Sequence, residues 1–367
     1  MAFNASALGL KTIFQGSWGD VVTGWQRFLA SKKYPVGVAD GAFGRATDLA
    51  TKDYQKANDL GADGVVGTKT YQVALRQGLI FFLPNLTAWR LLEGLNFGPE
   101  DIKDLQRVLN TVLTVKPEPN YPRRPPLAVD GAFGFGSTTG MVEVYRELDD
   151  KFRETINSRL SDATKSRVGQ KDFHIAMSIL NEYTRRLRVR LSGPEWQQQF
   201  LFSDSLEDLT FPFRIYAQEF MQALKDAGAT VEISNTYRPP ERAYLMHYCV
   251  KIANRWTNAG NVPSFPGVGI DWVHYTNEIS VWWAEKMAIA YDIAYPPALR
   301  SNHTVGRAID WYIEWEGTLK IKNLSGRVVE IGSPRNSFDN YRLWDVGATY
   351  GVYKLAADPP HWSFDGY

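Results

Sequence analysis

The sequence predicts two kinds of fold in one chain: all-α, three-helix repeats first, then an α+β domain with a small antiparallel sheet. Three observations carry this. The string Asp40-Gly41-Ala42-Phe43-Gly44 recurs as Asp130-Gly131-Ala132-Phe133-Gly134. A helical apolar stripe precedes each copy. From about residue 206, short alternating runs appear between helical stretches, the pattern of a mixed domain. The boundaries that follow are 1–82 for the first repeat, 83–150 for a degenerate second repeat, 151–205 for a helical connector and 206–367 for the α+β domain. A chain of 367 residues is long enough for such a division.

Each repeat opens with a helix. Val21, Trp25, Phe28 and Leu29 share one face in the first, and Ile102, Leu105, Leu109 and Val112 in the second. The Asp-Gly turn follows, where glycine supplies unusual backbone angles and the aspartate can bond nearby amides. Thr47 and Thr138 are expected to cap the next helix. Asp63-Gly64-Val65-Val66-Gly67 closes the first repeat, and the second has no counterpart past about Tyr145. Gln26-Arg27-Phe28-Leu29 recurs as Gln106-Arg107-Val108-Leu109, closer together than the two turns, so the second repeat carries an insertion. Its proline-rich stretch 116–122 is the expected place.

The connector reads as polar helix. Its basic run, Arg185-Arg186-Leu187-Arg188-Val189-Arg190, is expected to be a solvated face. Beyond it, Ala217, Phe220, Met221 and Leu224 form a helical stripe that ends at Gly228. Thr230–Ser234 reads as a strand, Pro239-Pro240 opens a helix toward Trp256, and Ile279–Ile293 is a further helix. Ala308–Trp315 alternates as a strand, and 319–321 with 328–331 form a hairpin across Ser325-Gly326.

Composition excludes several classes. Lys plus Arg number 41 and Asp plus Glu 40, so no excess charge draws the chain to nucleic acid or an anionic membrane. No apolar run approaches the ~20 residues of a membrane span. The N-terminus shows no basic region followed by an apolar stretch, so synthesis in the cytoplasm without a signal peptide is expected. The single cysteine, Cys249, reads as a small buried hydrophobe. Some of the twelve tryptophans belong to the cores, and exposed aromatics suit sugar or peptide platforms.

Two segments carry chemistry: Ser301-Asn302-His303-Thr304-Val305-Gly306-Arg307-Ala308-Ile309-Asp310 and Asp358-Pro359-Pro360-His361-Trp362. Neutral imidazole and carboxylate are zinc ligands, and a catalytic zinc keeps three protein ligands and an open fourth position. His303, Asp310 and His361 fit that count. Gly306 allows a tight turn between the first two, and Pro359-Pro360 fixes the direction of the loop that delivers the third. His174, His247 and His274 lie in no motif and read as structural.

These segments resemble the zinc D-alanyl-D-alanine carboxypeptidases and L-alanyl-D-glutamate endopeptidases, whose Ser-x-His-x-x-Gly-x-Ala-x-Asp pattern Ser301, His303, Gly306, Ala308 and Asp310 match. The resemblance implies zinc held by His303, Asp310 and His361. It implies Asp358 as general base, where the family usually has glutamate; Glu330 and Asp345 are back-up candidates for that role that no motif carries. Arg238 is implied as oxyanion stabiliser or carboxylate clamp, and Tyr237, Ser301 and Trp362 at the substrate site, Ser301 orienting its turn rather than attacking. The N-terminal repeats resemble peptidoglycan-binding domains of cell-wall hydrolases. The whole resembles a modular phage endolysin. It would be a monomer that cuts an amide of the wall peptide, with bacterial peptidoglycan as partner, after delivery to the periplasm or wall by a holin or secretion system. A D,D-carboxypeptidase that trims stem peptides, and a non-catalytic zinc-containing binding or structural protein, are the alternatives the sequence leaves open.

Overall fold

A computed structural model describes residues 3–113, 120–122, 124–148 and 152–367. Residues 116–119 of the expected insertion therefore lie outside the described residues. The chain divides into two compact units, Met1–Leu191 with Val273–Ile279, and Ser192–Trp272 with Ser280–Tyr367. Among the described residues no helix is long and apolar enough to cross a membrane.

The first unit is helical: α1 (Asp20–Ser31), α2 (Arg45–Ala57), α3 (Thr68–Arg76), α4 (Ala88–Gly94), α5 (Pro99–Leu113), α6 (Phe135–Leu148), α7 (Phe152–Arg159), α8 (Asp162–Val168) and α9 (Gln170–Arg188). The predicted stripes are the buried faces. Trp25, Phe28 and Leu29 are fully buried in α1, as are Leu105 and Leu109 in α5.

One device holds the turns. Gln26 Nε2 donates to Asp40 Oδ1 (2.9 Å), Ala42 O (3.0 Å) and Thr47 Oγ1 (3.1 Å), while its Oε1 accepts from Gly41 N (2.8 Å). Gln106 repeats this with Asp130, Ala132, Ser137 and Gly131, and Gln55 with Asp63, Val65, Thr70 and Gly64. Thr47 is thus spent on Gln26, and the N-cap of α2 is Gly44, with no side-chain bond. Thr138 likewise turns back to Gly134 O instead of capping α6. The expected threonine caps are replaced by glutamine clasps.

The segment expected as a connector is divided between the units. Ile156, Leu160, Val168, Phe173, Met177 and Leu180 lie in the same core as the repeats, so α7–α9 complete the first unit. Trp196 belongs to the core around α11 (Pro240–Ala253) and α12 (Asn277–Ala290) in the second. The basic run is only partly solvated: Arg185 and Arg186 both pair with Glu182, and Arg186 also donates to Gln77 O.

The second unit contains two sheets where one was expected. A four-stranded antiparallel sheet runs in the order β1 (Thr230–Asn235), β2 (Ala308–Glu314), β6 (His361–Ser363), β5 (Tyr353–Lys354). The predicted hairpin, β3 (Leu319–Lys322) and β4 (Val328–Ile331), stands as a sheet of its own. α10 (Phe213–Asp226) and α13 (Tyr341–Thr349) contribute Phe213, Phe220, Leu224, Leu343 and Val346 to the core these sheets share. β2 alternates as a half-buried strand must: Ile309, Trp311 and Ile313 are buried, while Tyr312 and Glu314 are exposed on the opposite face, where Asp310 also lies.

Candidate metal centre

Register places the centre. Asn235 of β1 stands opposite Asp310 of β2, and Asp310 opposite His361 of β6. Side chains directly opposite on neighbouring strands have Cβ atoms only ~5 Å apart. A one-residue irregularity in β1 between Ile233 and Asn235 brings Asn235, rather than Ser234, into this row. His303 arrives from the short 3-10 turn Asn302–Val305 that precedes β2. Gly306 ends that turn at φ +68°, and a Cβ there would lie 2.8 Å from Asp208 O and 3.1 Å from Thr210 N. No other residue fits both the dihedral and the contact.

The three predicted ligands converge. His303 Nε2 lies 3.0 Å from Asp310 Oδ1 and 3.0 Å from His361 Nδ1, and His361 Nδ1 lies 3.1 Å from Asp310 Oδ1. Tetrahedral coordination at the usual zinc distances would put such atoms ~3.3 Å apart. The triangle is therefore nearly the size a small divalent cation requires. Among the described residues no other group of three ligating side chains converges in this way. Both histidines are buried. The outer atoms are held as well: His361 Nε2 faces Tyr367 O at 3.2 Å, and Asn235 Nδ2 lies 3.3 Å from both His303 Nδ1 and Asp310 Oδ2. Such partners orient ligand rings and fix their tautomers. Asn235 Oδ1 is buried without a hydrogen-bond partner. Rotating the amide would offer that oxygen to a His303 Nδ1 proton, the tautomer needed for His303 to ligate through Nε2.

Burial alone would raise the Asp310 carboxyl pKa. The hydrogen bonds and charges of His303 and His361 outweigh it and hold the group below the usual carboxylate range.

The cluster opens into a cavity of about 750 Å³, lined among others by Arg238, Arg300, Ser301, Asp358 and Tyr367. Arg238 follows β1 and is anchored by its N–H to His303 O (3.2 Å). Burial works against its guanidinium charge, and Asp310 and Asp358 partly offset this. Asp358 is exposed, on a loop tied down through its carbonyl, which accepts from His361 N (3.0 Å) and Lys354 Nζ (2.6 Å). Ser301 forms the turn, its N–H donating to Thr304 Oγ1 (3.0 Å).

Two expected substrate contacts lie elsewhere. Trp362 is fully buried, packed against Phe220 and Trp311. It neighbours His361 on a strand, so it faces the other way, into the core. Tyr237 does not line the cavity, and its backbone bridges Ser203. The alternative bases stand apart too: Glu330 pairs with Lys320 on the hairpin at 3.2 Å, and Asp345 is exposed on α13. His361 lies on a strand rather than in the expected loop. Asn235 and Arg300 carry no motif, and only strand register and the cavity wall reveal them. Cys249 is buried with its thiol pKa pushed up by burial, an inert position.

Comparison with known families bears on the other unit. Residues 19–73 match the family model for a peptidoglycan binding domain. The first unit carries a peptidoglycan-binding domain. That match spans α1, α2 and most of α3, with the clasps of Gln26 and Gln55, and makes peptidoglycan a partner of the chain. No curated protein matches the chain.

Proposed function

We propose that the chain is a zinc-dependent peptidoglycan hydrolase, in which the second unit cleaves an amide of the wall peptide and the first holds the enzyme to its substrate. The observation that carries this reading is the His303–Asp310–His361 triangle at the base of a cavity that also contains a carboxylate and a guanidinium. The donor set suits zinc, two imidazole nitrogens and one carboxylate oxygen. When bound, zinc would supply Lewis-acid activation of water and of the scissile carbonyl at neutral pH.

The remaining work falls to side chains. Asp358, exposed on the cavity wall, accepts a proton from the attacking water and returns it to the leaving amine. Arg238 is fixed by its backbone beside His303 and directs positive charge at the oxygen on which negative charge develops. Asn235 and Tyr367 O keep the two imidazoles in place. Linkage to a wall-binding domain raises the local substrate concentration without altering these contacts.

The test is to incubate the full chain with purified peptidoglycan, before and after chelation and with zinc restored, and to identify released fragments by mass spectrometry. Peptide-bond cleavage that disappears with the metal and returns with zinc is expected. New amino termini within cross-links mark an endopeptidase, and release of free D-alanine marks a carboxypeptidase. Bound zinc without any cleaved amide would leave a binding protein and overturn the hydrolase.

A further inference from the structure

Among the described residues the glutamine clasp occurs three times, so the chain contains its own control for what the clasp needs. Around the first copy, three large apolar side chains are exposed: Phe14 (53%), Trp18 (86%) and Val38 (82%). The backbone beneath them is hydrogen-bonded. Trp18 bridges Ala42, Gly19 N donates to Gly41 O (2.9 Å), Phe43 N donates to Ser17 O (2.8 Å) and Phe14 N donates to Ser17 Oγ (3.0 Å). Aligned on Gln26 and Gln106, the second copy has Gly98 where the first has Trp18. Its clasp forms the same hydrogen bonds without an indole. The fold therefore does not require Trp18, and single exposed apolar residues are ordinary where three around one turn are not.

We infer that Trp18, flanked by Phe14 and Val38, is a stacking platform for the sugar rings of peptidoglycan glycan strands. The inference rests on the peptidoglycan-binding assignment of this domain and adds the surface and the part of the polymer it recognises. A pyranose ring presents a face of C–H groups, which suits the negative face of an indole. Wall peptides carry carboxylates that would call for matching cations, whereas these three side chains offer apolar area, one indole N–H and no charge. A backbone already held by hydrogen bonds need not reorder on binding, which leaves only side-chain freedom to be lost.

The experiment is sedimentation of the full chain with purified peptidoglycan over a concentration series, comparing wild type, Trp18→Ala and Trp18→Phe, with thermal unfolding as the control for folding. Trp18→Ala is expected to weaken binding on the order of tenfold with an unchanged thermal midpoint, and Trp18→Phe to retain most of it. Glycan strands stripped of peptide should compete with intact wall for the wild type and lose that ability with Trp18→Ala. Sedimentation of Trp18→Ala equal to wild type would overturn the platform and leave wall binding standing. Competition only by peptide-bearing fragments would overturn the glycan assignment. A wild type that stays in the supernatant would overturn the platform together with the wall-binding role beneath it.

Discussion

Gln26 and His303 each sit in the middle of a buried polar cluster, one in each unit, and the clusters differ in what is left over. Around Gln26 every strong donor meets an acceptor: the amide nitrogen serves Asp40, Ala42 and Thr47, and the amide oxygen takes Gly41 N–H. Around His303 two ring nitrogens and a carboxylate oxygen face one another at 3.0–3.1 Å. A neutral imidazole offers one N–H and one lone pair, so these three atoms are held together either by a ring proton shared with the carboxylate or by a cation among them. The hydrogen-bond set around Gln26 uses both amide atoms within the fold, whereas the set around His303 could exchange a proton for a metal ion. Both clusters follow from short, spaced sequence strings, so recurrence of a motif does not distinguish them. The balance of donors and acceptors does.

The largest effect should come from removing an acceptor at the second cluster. His303→Ala should lose stoichiometric zinc, with affinity lower by at least ~100-fold, because loss of outer-shell partners alone costs ~10–100-fold. Metal analysis after dialysis reads this directly. Equal zinc in variant and wild type would break the comparison at its main point. Next is Asp358→Asn, which should retain zinc and lose turnover by ~10²–10⁴-fold, the usual contribution of a general base. Asp358→Glu should stay active. Normal kinetics in Asp358→Asn would move the base elsewhere while leaving the ligands intact.

The clasp should respond in stability rather than chemistry. Gln26→Ala leaves the buried Gly41 N–H without its acceptor, removes one of the two hydrogen bonds to Asp40 Oδ1, and should cost about 1–3 kcal/mol. That lowers the midpoint of a unit this size by several degrees. Gln106→Ala should behave alike, and neither should change zinc content. The smallest effect concerns acid. Hydrogen bonds from Gln26 and then Ala42 N–H hold the Asp40 pKa below its ordinary value, and Gln106 does the same for Asp130. A lowered folded-state pKa gives stability that is present above the unfolded value of ~3.9 and lost as pH falls through the folded value. Asp40→Asn should therefore flatten the decline of the thermal midpoint below about pH 4. An equally steep decline in the variant would show that Asp40 is not part of the acid response.

Much of this was legible in the sequence for identifiable reasons. The helical stripes of α1 and α5 and the alternation of β2 are strong periodic signals, and the structure buries the faces they mark. His303, Asp310 and His361 stand out by residue type and by the two motifs that resemble a known family, and they meet. The failures have physical causes. The resemblance places Trp362 at the substrate, but β6 is three residues long, too short for period-2 alternation to show that neighbours face opposite ways. Asn235 was invisible because an irregularity in β1 sets its position, and no string encodes that. α7–α9 looked like a connector because their polar composition hides the stripe of Phe173, Met177 and Leu180. Thr47 follows the turn at a capping distance, and only the partner choice of Gln26 reveals why it does not cap.

The pairing of Asp310 with His361 has a consequence for how this chain tolerates change. The two residues are 51 positions apart, yet their meeting depends on three rungs, Ala308 with Ser363, Ile309 with Trp362 and Asp310 with His361. A slip of one rung would turn His361 toward the core and bring Trp362 out. Length changes in the intervening excursion cost little, since closing a longer loop adds only ~0.6 kcal/mol per doubling. Insertions around Ser325-Gly326 should therefore be absorbed, while a single residue added between Pro360 and Ser363 would dismantle the centre. Natural variation in chain length should collect in the hairpin and stop at the rungs.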